Sequence, residues 1–296
     1  MRREPSSIEE VARRSGVSVT TVSHALSGNR PVNVETAARV REVVADLGYV
    51  PATIARNLRT GRTDVIGLIL PDISNTFFSR LARGVEDAAN AAGYARFLCD
   101  TDFNSVREDR YLDLLRSRFI DGLVYVAGSK PSTRRLGALV SSFPVVLADE
   151  DVTDLPGAGR VSADHPQGGR LAGAHLRSLG HLDALVITGP SGLRSSDDRL
   201  RGFREHFPEA TVTVGDFSEA SGYRAAMNAL ADGVQFSAVF ALNDLMAIGA
   251  TAALRDSGLS IPTQVSIVGY DDIPLVDRLS PALTTSRQPA YEIGRL

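Results

Sequence analysis

From residue 65 onward, short apolar runs alternate with stretches of helical periodicity, and this alternation restricts the fold more than any other feature. Strand-like runs at 65–70, 95–99, 122–126 and 145–147 are separated by helix-period segments at 78–92, 106–116 and 132–140. After a Gly/Pro-rich stretch at 155–159 the pattern restarts, with apolar runs at 184–188, 211–214, 238–242 and 265–269 among helical segments at 166–179, 197–206, 219–231 and 244–256. Strand and helix in strict alternation predict parallel sheets covered by helices on both faces. Two such runs, broken near residue 160, predict two similarly built lobes. Ligands bind doubly wound sheets at the carboxyl ends of the strands, so a cleft between the lobes is the expected pocket.

The first 62 residues have a different texture, predicting three short helices. Ser7 followed by Glu10 has the form of a capping box before Ile8, Val11 and Ala12, and Gly16 ends that segment. Ser18 can cap a second helix carrying Val19, Val22 and Leu26. Asn33 can cap a third, with Val40, Val43, Val44 and Leu47 facing inward and Gly48 closing it. Residues 51–62 have weak helical character and are too short to be stable alone. Ten arginines against six acids give residues 1–62 a net charge of +4, so with −3 for the whole chain the remainder carries −7. A basic head on an acidic body predicts that the head alone meets a polyanion.

Two helices joined at Gly16-Val17-Ser18 have the spacing of a helix-turn-helix. Its second helix would present Val19, Thr20, Ser23 and His24 to a major groove, where hydroxyls and an imidazole can bond to base edges and a Val methyl can touch a thymine methyl. An ordinary helical hairpin has the same spacing.

The run IEEVARRSGVSVTTVSHALSG from Ile8 resembles the DNA-binding headpiece of the lactose/galactose-repressor (LacI/GalR) family. NVETAARV from Asn33, LGYVP from Leu47 and NLRTGRT from Asn57 extend the likeness. In the body it continues through PDISN from Pro71, Phe77-Phe78, GVEDAA from Gly84, Leu179-Gly180-His181, RLRGF from Arg199, Asn243-Asp244, VGYDD from Val268 and PALTT from Pro281. The resemblance implies a small all-α helix-turn-helix headpiece (1–50), a hinge helix or linker (51–62), and an α/β two-lobed body like a periplasmic binding protein. That body (63–296) would bind effector and dimerise, with one lobe at about 63–160 and 286–296 and the other at about 161–285. It implies DNA contacts from Ser18, Val19, Thr20, Thr21, Ser23, His24 and Asn29, and a hinge in which Leu58 wedges into the minor groove while Ala55 allows close approach of two hinge helices. His24 stands where the family usually has Arg, and it cannot make the bidentate pair that Arg makes with guanine.

No catalytic signature stands out: there is no HExxH, CxxC, phosphate loop or GxSxG, and the five histidines lack metal-ligand spacing. No catalytic residue, metal or cofactor is expected. Polar groups do gather after the strand-like runs. Asp72, Asn75, Arg199, Asn243 and Asp271, with Phe77 and Phe78, suit a small polyhydroxylated ligand, although each polar residue alone fits a helix cap equally well. The resemblance implies effector contacts from Arg199, Asn243, Asp271 and the residues around Asn75–Phe78, and it adds Asp164 near the crossover between lobes.

The expected protein is therefore a homodimeric transcription regulator, most simply a repressor, of a near-palindromic double-stranded operator, controlled by a small-molecule effector, a sugar. Cys99 excludes an intrachain disulfide framework, the N-terminus has no apolar signal segment, and no run approaches a membrane span, which points to a soluble, cytoplasmic protein without a membrane partner. A solute-binding protein would lack the headpiece. The family body continues well beyond RQPAYEIGRL at 287–296, so the alternative reading is a shortened, effector-insensitive DNA-binding remnant.

Overall fold

The protein is described here from a computed structural model covering residues 7–27, 30–49, 62–116, 119–130, 132–274 and 276–296. It divides into two compact units, Met1–Arg62 and Thr63–Leu296.

The first unit holds α1 (Ile8–Ser15), α2 (Val19–Ser27) and α3 (Val34–Leu47). Ser7 caps α1 by accepting from the Glu10 amide, and Asn33 caps α3 by accepting from the Glu35 amide. The expected capping box is half made, because the Glu10 carboxylate pairs with Arg13 and Arg14 instead. Gly16 and Gly48 adopt the left-handed conformation that closes α1 and α3. Val11, Ala12, Val22, Ala25, Ala37, Val40 and Tyr49 form one small core, and Arg39 on α3 donates to the Ser15 carbonyl at the end of α1. A core this small fixes three helix axes with few side chains, which is why each cap matters. The hinge predicted over 51–62 falls almost entirely outside the described residues.

The second unit is built on two five-stranded parallel sheets. The first contains β1 (Val65–Leu70), β2 (Ala95–Asp100), β3 (Gly122–Tyr125), β4 (Val145–Ala148) and β5 (Gly159–Val161), in the order β2-β1-β3-β4-β5. The second contains β6 (Ala184–Thr188), β7 (Thr211–Val214), β8 (Ala238–Ala241), β9 (Ser266–Asp271) and β10 (Thr284–Arg287), in the order β10-β9-β8-β6-β7. Their helices are α4 (Thr76–Ala91), α5 (Ser105–Leu115), α6 (Thr133–Val140), α7 (His165–Ser178), α8 (Arg194–Arg204), α9 (Glu219–Ala231), α10 (Asp244–Asp256) and α11 (Ala290–Arg295). β1 reads VIGLIL without polar alternation because both its faces are covered: Leu68 and Leu70 pack towards α4, Ile69 towards α5 and α6. The fold is thus a helical head and an α/β body of two doubly wound sheets, as the alternation predicts.

Two helix crossings fix the layers. α7 and α8 meet where a Cβ on Gly169 would stand 1.9 Å from the Arg199 carbonyl oxygen, and one on Gly202 would stand 1.9 Å from that of Pro166. Backbone contact there seats α8, and Arg199 with it. α11 returns to pack on α4, where a Cβ on Gly84 or Gly294 would strike the facing helix backbone in the same way. Behind α8, Phe203 stacks between Phe207 and Phe240 with centroids 4.9 and 4.8 Å away.

The structure differs from the sequence expectation at three elements. β5 begins at the last residue of the Gly/Pro-rich stretch, where no strand is expected, and β10 lies in a segment to which the apolar pattern assigns no element. α8 starts at Arg194, three residues before the expected 197, so Asp197 and Asp198 lie within the helix and Asp198 pairs with Arg194 and Arg201.

Candidate functional site

A narrow cleft, with about 360 Å³ of empty volume including the solvent at its mouth, gathers the residues that follow the carboxyl ends of the strands. Asn75, Phe77 and Phe78 follow β1, Phe103 follows β2, Ala127 follows β3, and Asp149 and Glu150 follow β4. From the second sheet come Ser195 and Arg199 after β6, Phe217 after β7, Asn243 after β8, Asp271 at the end of β9 and Gln288 after β10.

The aromatic side is continuous. Phe77 and Phe78 meet edge to face at 5.1 Å, Phe78 and Phe103 at 6.3 Å, and Phe103 approaches Phe217 of the second sheet at 6.2 Å. Ring faces and edges of this kind cover the apolar face of a bound ring.

Arg199 forms the polar floor and is only 3% exposed. Its Nη1 donates to the Leu242 carbonyl at 2.7 Å, its Nε donates to His165 Nδ1 at 3.3 Å, and its guanidinium lies 4.0 Å above the Tyr270 ring. Burial alone would lower the pKa of this guanidinium, but Tyr270, Asp271, Asp149 and Glu150 outweigh it and hold the charge. His165 Nε2 faces the Asp149 carbonyl at 3.0 Å, so it carries the ring proton while Nδ1 accepts. Burial, then the nearby Arg199 charge, lower the His165 pKa and keep the imidazole neutral.

Three acids surround that floor. Burial raises the Asp271 pKa well above the usual range while the Arg199 charge opposes, and Gln288 Nε2 donates to its Oδ1 at 2.7 Å. Glu150 is pushed up to about 7, by burial first and the Asp149 carboxylate second. Glu150 also spans the cleft, accepting from the Ser195 amide at 3.1 Å and from the Ser195 hydroxyl. Asp151, next in sequence, ties Arg160 of β5 to Arg194 of α8 at 2.7 and 2.8 Å. Asp149 has φ +62°, and its buried Oδ1 has no hydrogen-bond partner, His165 Nε2 being 3.6 Å away.

Of the effector residues expected from sequence, the cleft brings together Asn75, Phe77, Phe78, Arg199, Asn243 and Asp271. Asn75 and Asn243 double as caps of α4 and α10, accepting from the Phe77 and Met246 amides, and Asn243 also donates to the Phe217 carbonyl. Asp72 and Asp164 are not in its wall. Asp72 closes a turn by accepting from the amide and hydroxyl of Ser74, and Asp164 is exposed and caps α7 through the Gln167 amide. The sequence reading missed Phe103, Ala127, Asp149, Glu150, Ser195, Phe217 and Gln288. Position after a strand-like run was a signal for Asp149 and Glu150, since they follow 145–147 directly. Nothing local marked Phe103 or Gln288.

In the first unit, α2 turns Val22 and Ala25 into the core and leaves Ser18, Val19 and Thr20 exposed, Val19 by 40%. Ser18 Oγ accepts from the Thr21 amide at 3.1 Å and lies 2.9 Å from the Thr21 hydroxyl, so this pair secures the start of α2. Ser23 and His24 are half-buried, and His24 Nδ1 is enclosed without a partner. Asn29, Ala55 and Leu58 lie outside the described residues.

Residues 7–52 match the bacterial regulatory proteins of the lacI family, and residues 63–295 match the periplasmic binding proteins and sugar binding domain of the LacI family. The chain belongs to the LacI family. It is similar to the HTH-type transcriptional repressor PurR of Edwardsiella ictaluri (strain 93-146), 34% identical over 98% of this chain and 88% of that one. It is also similar to the ribose operon repressor of Halalkalibacterium halodurans, 35% identical over 98% and 87% of the two chains. Among solved structures, the lac repressor dimer bound to operator and the anti-inducer ONPF superposes with a TM-score of 0.84 at 26% identity, over 99% of this chain and 90% of that one. This LacI-family chain is therefore a DNA-binding transcriptional repressor with an effector-binding body, and its relatives are transcriptional regulators. No helix among the described residues is long and apolar enough to cross a membrane.

Proposed function

We propose that this LacI-family repressor reads a near-palindromic operator as a homodimer in the cytoplasm, and that a sugar bound in the cleft of its body sets its affinity for DNA. In this reading the headpiece is 1–50, the linking segment is 51–62 and the body is 63–296, with lobes at about 63–160 plus 286–296 and about 161–285. The division of the chain at residue 62 and the two separate sheets support these limits. The exposed residues of α2, Val19 and Thr20 first, are the base readers, with Ser18, Thr21, Ser23, His24 and Asn29 around them and Ala55 and Leu58 in the linking segment. The effector residues are Asn75, Phe77, Phe78, Arg199, Asn243 and Asp271, joined by Asp149, Glu150 and Gln288.

The observation that carries the reading is the floor built around Arg199. A buried cation held by a carbonyl, a neutral imidazole and an aromatic face, ringed by acids and roofed by phenylalanines, is arranged for a small hydroxylated ring. Glu150 and Asp151 link the walls contributed by the two sheets, so occupancy of the cleft bears on their closure. Coupling between effector and operator is reciprocal: each must change affinity for the other by the same factor. Operator selected from a random DNA pool, then titrated by fluorescence anisotropy against a sugar panel, tests this. One sugar should shift the operator Kd by about 5- to 150-fold, the usual range of such coupling. Operator binding indifferent to every ligand that stabilises the body would overturn it. The cleft is read as binding without turnover, so the effector should be recovered unchanged after prolonged incubation.

A further inference from the structure

We propose that the cleft selects an uncharged, hydroxyl-rich ring and excludes the phosphate esters and carboxylates of the same ring. The proposal rests on the effector-site reading above and narrows its ligand class.

Charge is the first argument. The lining carries three acids, Asp149, Glu150 and Asp271, against one cation, Arg199. That cation is already engaged: Nε points to His165, Nη1 to the Leu242 carbonyl, and its face lies on Tyr270. An incoming phosphate would find part of one guanidinium and the field of the Asp149 and Glu150 carboxylates, in a buried site where like charges repel more strongly than in water. The acids already crowd one another, since the Asp149 carboxylate helps push Glu150 up to about 7, and another anion would add to that repulsion.

Hydrogen-bond complementarity points the same way. The buried atoms of the lining left without a partner are Asp149 Oδ1 and Gln288 Oε1, both acceptors, and no donor of the lining is left so among the described residues. Gln288 is oriented by the bond from its Nε2 to Asp271, which turns Oε1 the other way. A ligand that donates at these two points would complete the hydrogen bonding of the lining. Sugar hydroxyls donate, whereas a phosphate or carboxylate at neutral pH offers almost only acceptors. Four phenylalanine rings supply the apolar cover that a pyranose or furanose face needs.

The test is calorimetric titration of the full chain at pH 7.5 with matched pairs: ribose and ribose 5-phosphate, glucose and glucose 6-phosphate, fructose and fructose 1-phosphate, galactose and galacturonate. The proposal expects at least one neutral member to bind and its charged partner to bind at least about 100-fold more weakly, the size of a like-charge mismatch at an interface. A charged member binding as tightly as its parent overturns the proposal and leaves the sugar reading intact. Silence from both members of every pair overturns the sugar reading, and the proposal with it. The double variant D149N/E150Q, checked for folding by its Tm, should narrow the ratio between sugar and ester by about tenfold or more, one charge contact at partial burial. An unchanged ratio in a folded double variant would mean that shape rather than charge excludes the ester, and would overturn the argument.

Discussion

Arg199 does its work through three partners that each demand a planar, forked cation. A lysine could reach one of them as a point charge but could not satisfy the Leu242 carbonyl, His165 Nδ1 and the Tyr270 face together. R199K should weaken effector binding by about tenfold or more, a single lost charged hydrogen bond or two, and should lower stability by about 1–3 kcal/mol because the ammonium keeps the charge but leaves the Leu242 carbonyl or His165 Nδ1 buried without a donor. Calorimetry and urea unfolding read the two effects separately. His24 makes the opposite case, an imidazole where the resemblance leads one to expect a guanidinium. H24R should impose a guanine at one operator position, worth about 1–3 kcal/mol of discrimination, and DNA selection before and after substitution would reveal it; an unchanged motif would count against a base-reading role. These residues were legible because each sits in a recognisable local context. Ser195 was not, and for Asp149 and Glu150 only their place after a strand-like run was readable, because their meaning lies in who meets them: Glu150 is an acceptor for the start of α8, and no local pattern announces a partner 45 positions away.

At the scale of elements, the apolar runs identified the strands wherever both faces are buried. The two strands missed, β5 and β10, are edge strands of three and four residues with mostly half-buried or exposed positions, GRV and TTSR, so they lack the signal by which a central strand is read. The early start of α8 has a related cause. Leu193 offers no side-chain cap, and the Glu150 carboxylate supplied by another segment accepts the Ser195 amide instead. The α7–α8 crossing is the most sensitive joint of the body, since Gly169 and Gly202 each face a carbonyl that a methyl would strike. G169A should cost about 1–3 kcal/mol by overpacking and should weaken ligand binding as well, because the carbonyl in its way belongs to Arg199. Urea unfolding with and without bound sugar would check both; a stability loss with unchanged affinity would show that the crossing and the floor are independent.

The whole molecule should record its buried acids as a pH dependence. Glu150 at about 7 and Asp244 at about 6 bind a proton more tightly folded than unfolded, chiefly because they are buried. The folded state holds the extra proton between the ordinary carboxylate range and those values, so stability falls as pH rises through that window. His165, lowered by burial, acts in the other sense, its contribution growing with pH only up to its ordinary value near 6.5. Between about pH 6.5 and 8 the acids dominate, and a loss of about 1 kcal/mol is expected. E150Q should flatten part of that slope in urea titrations, the remainder belonging to the buried Asp244 and Asp271, and an unaltered slope would assign it wholly elsewhere.

The return of α11 onto α4 also sets an order of events during synthesis. Tyr291 Oη donates to Asp87 across 204 positions, and Gly294 nests against the α4 backbone. The ribosome delivers every strand of the first sheet early, yet one of its helical covers arrives only after the second sheet has been made. The nascent first lobe must wait with Leu81 and Val85 partly uncovered, while the second lobe, contiguous in the chain, can close as soon as it emerges. Chaperone contact during translation should therefore concentrate on the first lobe, and end once α11 has been made and has docked on α4.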